Sequence, residues 1–310
     1  MKRLFIYLGM MLLALSVQAQ TSEADSLLNV GDYKFFQSGD ASGALRAYKA
    51  AAELGSVEAA MMVGRCYAEG IGTLQNLDKA MKYWLAASEA GSGDASFRIG
   101  DCYLHGIGFG KSTEKAIQWL EKAAKQGSTD AMFTLGSLCF YGTDVQQDVE
   151  NAINLWTMAA DAGNMNAQAT LGMEYFKGEK TKRNMILAVK YLEMAADQGD
   201  AHSAFYAGLF NEKGFGKVAD EVSAAYYYMV AANGGVPEAQ LNLAILYYEG
   251  RGVDMNKKYA FDWYLEAAKN GVPQAQFNVG ACYINGDGVE KNEKLGQAWL
   301  KKAKENGFDK

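Results

Sequence analysis

The chain has 310 residues, 30 basic against 36 acidic side chains and a formal charge of −6, with 49% of its residues hydrophobic. That acid excess argues against a generic binder of phosphate backbones, which needs a basic stripe, so nucleic acid is not an expected partner. Length by itself suggests about two ordinary domains, a prior that the periodicity below overrides.

In chain order, Lys2 and Arg3 precede an apolar run from Leu4 to Val17, and Val17-Gln18-Ala19 offers a small-x-small cleavage pattern. Residues 1–19 are therefore expected to be a secretory signal peptide. The apolar run is shorter than the ~20 residues a spanning helix needs, so a membrane anchor is not expected. No cysteine follows the cut site, which disfavours a lipid anchor, and no later stretch is apolar for long enough to span a membrane. Removing the leader leaves 28 basic against 36 acidic residues, or −8. The mature protein is expected to be exported to the periplasm or beyond, soluble and monomeric.

Residues 20–56 read as a degenerate N-terminal cap. They keep Ala44, Ala51, Ala52 and Gly55 but carry Leu28 and Lys34 where later units have glycine. From residue 57 a 36-residue period takes over: glycine recurs at 70, 106, 142, 178, 214, 250 and 286, and again at 91, 127, 163, 199, 235, 271 and 307. A third ladder runs Gly64, Gly100, Gly136, Gly172, Gly208, Ala244, Gly280. Such a period marks a solenoid, in which each unit buries its apolar face only against its neighbours. Seven units are expected: 57–92, 93–128, 129–164, 165–200, 201–236, 237–272 and 273–308.

Within the first unit, Ala59, Val63, Cys66 and Tyr67 fall at helical spacing, predicting a first helix from about Glu58 to Glu69 closed by Gly70. A second helix is predicted from about Asn76 to Ala90, with Ala80, Tyr83, Ala87 and Ser88 inward. Alanine columns at 44 to 260 and 51 to 303 permit close helix approach. The aromatic column Tyr83, Trp119, Tyr191, Tyr227, Trp263, Trp299, interrupted by Leu155, is expected to fill the core beside them. Gly64 and its equivalents lie mid-helix, where glycine costs roughly 1 kcal/mol relative to alanine. A backbone-to-backbone contact at the hairpin crossing is the expected compensation. At the far end Lys304 and Gly296 replace the alanines of their columns, as expected where no further unit stacks.

Candidate chemistry is sparse. Cys66, Cys102 and Cys282 share one slot and Cys139 lies one slot on. Equivalent positions of stacked helices are roughly 8–10 Å apart, against the ~7 Å limit for a disulfide, so buried free thiols are expected. The two histidines, His105 and His202, occupy different slots in separate repeats, and neither a zinc site nor a Ser-His-Asp arrangement assembles from them. The glycines of GIGFG (106–110) belong to the repeat ladder and no strand precedes them, so no phosphate loop is expected. The acidic stretches 144–152 and 284–294 lack calcium-loop spacing and read as solvated turns. No catalytic residue, cofactor or metal is expected.

Leu-Gly followed by a tyrosine three residues on, then Gly-x-Gly, then Ala-x-x-Trp/Tyr and Ala-Ala-x-x-Gly, resembles the Sel-one-like repeat of the tetratricopeptide-like α-solenoids, most closely at 241–271 and 277–307. The resemblance implies an all-α, right-handed α/α superhelix acting as an adaptor or scaffold for other proteins. The family's secreted, cysteine-rich branch, with members that resemble binders or hydrolases of penicillin-type compounds, is a poor match because paired cysteines are missing here. Two departures from the general pattern stand out. Gly178-Glu179-Lys180 lacks the second glycine, and Asn211 replaces the tyrosine, so the pattern does not fix the loop path there.

Counted from the first-helix glycine, slots −6, −2, +1 and +5 share one face and vary between units. That face is the candidate partner-binding groove, with Arg65, Arg98, Asp101, His105, Tyr141, Lys177, Tyr206, Lys213, Asn242, Glu249 and Asn278. The leading expectation is an exported, non-enzymatic scaffold that holds a protein or peptide. The alternatives are a cell-envelope enzyme or binder acting on peptidoglycan or β-lactams, and a secreted factor directed at a host or neighbouring cell.

Overall fold

The structure, a computed structural model, describes residues 20–308, so the expected signal segment 1–19 lies outside the described residues. Every regular element among the described residues is helical. α1 (20–32) runs into a π turn, Tyr33–Gln37, and α2 (Ala41–Glu53) follows. The first helices of the repeats are α3 (Val57–Glu69), α5 (Gly93–His105), α7 (Thr129–Tyr141), α9 (Met165–Lys177), α11 (Ala201–Lys213), α13 (Pro237–Glu249) and α15 (Pro273–Asn285). The second helices are α4 (Leu77–Glu89), α6 (Thr113–Lys125), α8 (Val149–Asp161), α10 (Met185–Asp197), α12 (Glu221–Asn233), α14 (Lys257–Lys269) and α16 (Glu293–Glu305). The fold is all-α, built from seven helical-hairpin repeats of the tetratricopeptide-like solenoid type. It divides into two compact units, one ending at Asp148 and one beginning at Val149.

Local chemistry sets the boundaries. A first helix begins where Ser56, Ser92, Ser128, Asn164 or Asp200 accepts the backbone N–H three residues on. α13 and α15 have Val236 and Val272 at that position and start instead on Pro237 and Pro273, whose fixed φ suits the first helical turn. Each first helix ends on a left-handed glycine, Gly70 at φ 74° being the earliest, whose N–H returns to the carbonyl four residues back. The loop then closes on the first helix, as where Asn76 N donates to Tyr67 O at 2.8 Å, and Asn76 caps α4 through Lys79 N. These helices have 13 residues, a length marginal in isolation, so packing on both neighbours supplies the stability.

In the first unit the core gathers Tyr48, Val63, Trp84 and Ile99 around Ala44, Ala80 and Ala95. In the second, Tyr228 and Leu243 pack with Ala204, Ala224 and Ala239, Phe210 packs with Ala188, Val189 and Leu192, and Tyr264 and Val279 continue the pattern. Two expectations are corrected here. Of the expected aromatic column Tyr191 and Tyr227 are buried, but Tyr83, Trp119, Trp263 and Trp299 are only half-buried; the more consistently inward column is one position on, Tyr48, Trp84, Leu120, Trp156, Leu192, Tyr228 and Tyr264. Those same side chains explain the mid-helix glycines. A Cβ at Gly208 would sit 2.6 Å from Tyr228 Cδ1, and one at Gly172 would sit 2.6 Å from Leu192 Cγ. The glycine therefore makes room chiefly for a large side chain of its hairpin partner and not, as expected from sequence, for a second backbone.

The second glycine of Gly-x-Gly has a different role. A Cβ at Gly216, Gly252 or Gly288 would strike the carbonyl of the first residue of the preceding second helix, respectively Met185, Glu221 and Lys257. The third repeat has Asp144 in this slot at φ 57°, within the left-handed region that disfavours side chains. Its carboxylate accepts from Lys111 Nζ at 2.9 Å and Thr113 Oγ1 at 3.1 Å, which offsets the strain. In the fourth repeat the missing glycine is compensated by buried Glu174, whose Oε1 accepts from Lys180 N at 2.9 Å and Thr181 N at 3.1 Å. In the fifth, fully buried Asn211 donates to Glu193 Oε1 at 2.7 Å and Ala207 O at 2.9 Å, while its Oδ1 has no partner.

Candidate functional site

The first unit contains a cleft of about 810 Å³ along α3 and α5. Its floor is apolar, with Val57, Met61, Met62 and Ile107 together with the edge of Trp84. Its walls carry Arg65 and Glu69 from α3 and Asp94, Arg98 and Asp101 from α5. The seven-position spacing from Glu58 to Arg65 and from Asp94 to Asp101 puts each pair on one helical face. Ala90, Gly91 and Ser92 also border it. The volume and the apolar floor with a few polar groups are those of a ligand-binding concavity.

Three of the residues singled out by sequence, Arg65, Arg98 and Asp101, line this cleft. Arg65 Nε donates to Glu69 Oε1 at 3.0 Å, so this cation is largely satisfied within its own helix. Arg98 has no carboxylate partner and lies over the Phe97 ring at 5.9 Å. Exposed His105 places Nε2 3.2 Å from Asp101 Oδ1 at the end of α5. Tyr141, on α7, is exposed and stands edge-on to Phe140 at 5.1 Å, away from the cleft lining.

The candidates of the second unit lie on α9, α11, α13 and α15. Lys177 is 3.9 Å from Glu179, and Tyr206 packs its ring 5.8 Å from Phe176 and 5.3 Å from Phe205. Lys213 pairs with Glu212 at 3.1 Å, and Asn278 is half-buried on α15. Asn242 and Glu249 belong to a clamp between repeats. Asn242 hydrogen-bonds the Tyr228 hydroxyl, which donates to Glu212 at 2.8 Å; Arg251 reaches Glu212 at 3.3 Å, Glu221 at 3.2 Å and Glu249 at 2.7 Å. Burial alone would raise the Glu212 pKa, but hydrogen bonds from Tyr228, Lys213 and Arg251 outweigh it and hold the carboxyl below its usual range. The next repeat repeats the clamp with charges inverted: Asp287, in the slot of Arg251, accepts from Lys257 at 2.7 Å and Tyr248 at 2.9 Å.

Sequence reasoning missed two sets of residues. One is the apolar floor: Met61 occupies slot −3, where later units carry Phe97, Phe133, Ala169, Phe205, Leu241 and Phe277, a fourth apolar row whose regularity was available as a signal. The other is a buried polar ladder. Gln168, Gln240 and Gln276 each donate to a carbonyl eight residues back, Ala160, Ala232 and Ala268, at 2.9, 3.3 and 3.2 Å. Each accepts from an amide thirty residues on, Gln198 at 2.7 Å, Asn270 at 3.2 Å and Asn306 at 2.8 Å. In the first unit Ser96 and Gln126 form the equivalent rung. Where the inner slot is apolar the outer one is small: Ala60 with Ala90, Met132 with Ala162, Ala204 with Gly234. The cleft borders such a rung at Ala90.

The cysteines are all free thiols, with Cys66, Cys102 and Cys282 buried and Cys139 half-buried. Burial pushes the Cys282 thiol up to about 11 and raises Cys66 and Cys102 as well, so none of these three is an activated nucleophile. Among the described residues no cluster of three or more His, Cys, Asp or Glu side chains is placed to hold a metal ion. No helix among them is long and apolar enough to cross a membrane.

Residues 57–92, 93–128, 129–164, 166–200, 201–236, 237–272 and 273–308 each match the Sel1 repeat. Among solved structures the chain is similar to c5321, a protective antigen of uropathogenic Escherichia coli strains displaying an SLR fold, at 29% identity and a TM-score of 0.70. That match covers 85% of this chain and 56% of the other, so the chain spans little more than half the length of that relative. It is also similar to a Sel1 repeat protein from Oxalobacter formigenes, at 28% identity and a TM-score of 0.55, covering 95% and 87% of the two chains. No curated protein matches.

Proposed function

The chain belongs to the Sel1 repeat family, and we propose that it is an exported, non-enzymatic scaffold that holds a protein or peptide segment on the faces of its first helices, with the α3–α5 cleft as the principal seat. Sel1 repeat solenoids generally bind proteins and are generally not enzymes. The observation that carries the reading is the cleft itself, where an apolar floor meets the side chains of the variable face, Arg65, Arg98 and Asp101. Its mixed lining suits a peptide better than a reaction centre, since the buried thiols are inert and the histidines stand apart. Export is supported by the basic, apolar and small-residue order of residues 2–19 and fits the description of the similar E. coli protein as a protective antigen.

Photo-crosslinking in the producing cells tests the seat. A crosslinking amino acid at Arg98 is expected to give a discrete protein adduct, and one at Gln118 on the exposed face of α6 is not. Equal adducts from both positions, or none from Arg98, would refute it. Export is tested separately by N-terminal sequencing of the fractionated protein, which is expected to begin at Gln20; an intact leader in the cytosol would overturn that part.

A further inference from the structure

The α3–α5 cleft has a charge pattern that narrows what it holds. Of its cations, Arg65 is engaged by Glu69 at 3.0 Å, leaving Arg98 as the open one. Of its anions, Glu58 and Asp94 have no ion-pair partner, and Asp101 faces His105 at 3.2 Å. The open charge of the rim is thus in excess negative, while the floor of Met61 and Met62 is apolar and adaptable, because an unbranched thioether side chain fills irregular gaps. An acidic segment laid here sets like charges against Glu58 and Asp94, and a purely apolar one leaves them without partners.

We infer that the occupant of this cleft is a cationic amphipathic segment of another protein, which seats large apolar side chains on Met61 and Met62 and presents lysine or arginine to Glu58 and Asp94. The inference rests on the reading of the cleft as a protein-binding seat and adds the chemical class of the partner. Isolated exposed charge pairs contribute little each, so apolar contact supplies most of the affinity and the carboxylates supply the selection.

The test uses the full mature chain and two fluorescein-labelled 16-residue peptides with identical leucine positions at helical spacing, one with lysine and one with glutamate at the remaining positions. Fluorescence anisotropy is expected to show the lysine peptide binding about tenfold tighter or more, with the advantage shrinking as salt screens the rim. Glu58→Gln/Asp94→Asn is expected to weaken the lysine peptide about three- to tenfold. The distal pair Glu150→Gln/Glu290→Gln is expected to leave it unchanged, which separates a local rim from the overall acidity of the chain. Met61→Ala/Met62→Ala should weaken both peptides. A glutamate peptide that binds as well as the lysine one, yet is lost in the methionine variant, overturns the cationic class and leaves the seat standing. Equal weakening by the distal pair, binding of neither peptide, or a concentration-dependent dimer that blocks the cleft overturns the inference; absence of a crosslink from Arg98 overturns the seat as well.

Discussion

Replacing Gln168 with methionine is a sharp test of the polar ladder, because Met132 stands in the same slot one repeat earlier and the shape change is small. Gln168 is 2% exposed, donates to Ala160 O at 2.9 Å and accepts from Gln198 Nε2 at 2.7 Å. The substitution removes both bonds. Each net hydrogen bond is worth about 0.5–1.5 kcal/mol, but Gln198 is exposed, keeps its 3.0 Å bond to Gly163 O and turns its freed donor to water. The expected loss is therefore about 1–2 kcal/mol, carried mostly by Ala160 O. Gln198→Ala alone removes a donor from the buried Gln168 carbonyl and should cost about 0.5–1.5 kcal/mol. The double variant carries the residue types found at positions 132 and 162 and is expected to lose less than the sum of the single changes by about 0.5–1 kcal/mol. Urea unfolding of the four proteins, followed by helical circular dichroism with the slope m held common, supplies the cycle. Additivity within about 0.3 kcal/mol would refute the claim that inner and outer slots form one interacting rung.

Gly208→Ala should destabilise by about 1–3 kcal/mol, since its new methyl would sit 2.6 Å from a ring that is fully buried, whereas Gly110→Ala, with nothing within 4 Å, should be neutral by the same urea midpoint. The depressed folded pKa of Glu212 makes its contribution present at neutral pH and lost as pH falls through that folded value, with no change expected above about pH 6. Glu212→Gln should therefore be less stable than the parent at pH 7, with the difference shrinking as pH falls below the ordinary carboxylate range; a difference that stays constant as the solution is acidified would contradict the clamp. A thiol reagent at pH 8 is expected to modify at most one of the four cysteines rapidly in the native protein, half-buried Cys139, and all four in urea; fast native labelling of Cys282 would refute its burial.

The repeat was legible in the sequence because its causes are local. Left-handed glycines such as Gly70 and the alanine columns are demanded by backbone geometry and helix contact, and their recurrence fixes the hairpins in register without reference to distant residues. The helix predicted from about Glu58 to Glu69 is observed as Val57–Glu69 for the same reason. Of the eleven variable-slot residues, Arg65, Arg98 and Asp101 line one cleft.

Tertiary structure alone decided which of two adjacent large positions is the more consistently buried. Tyr83 and Trp84 are both apolar and one residue apart, and only the rotation of α4 against the mid-helix Gly64 sends Trp84 inward and leaves Tyr83 half-buried. It likewise decided the depth of the cleft, since Met61, Glu58 and Asp94 become one surface only when successive hairpins stack. The ladder lies between these cases. The pairing of Gln168 with Gln198, and of Ala204 with Gly234, is written in the sequence at a spacing of thirty, but that spacing acquires a physical reason only when the end of a second helix is laid beside the start of the first.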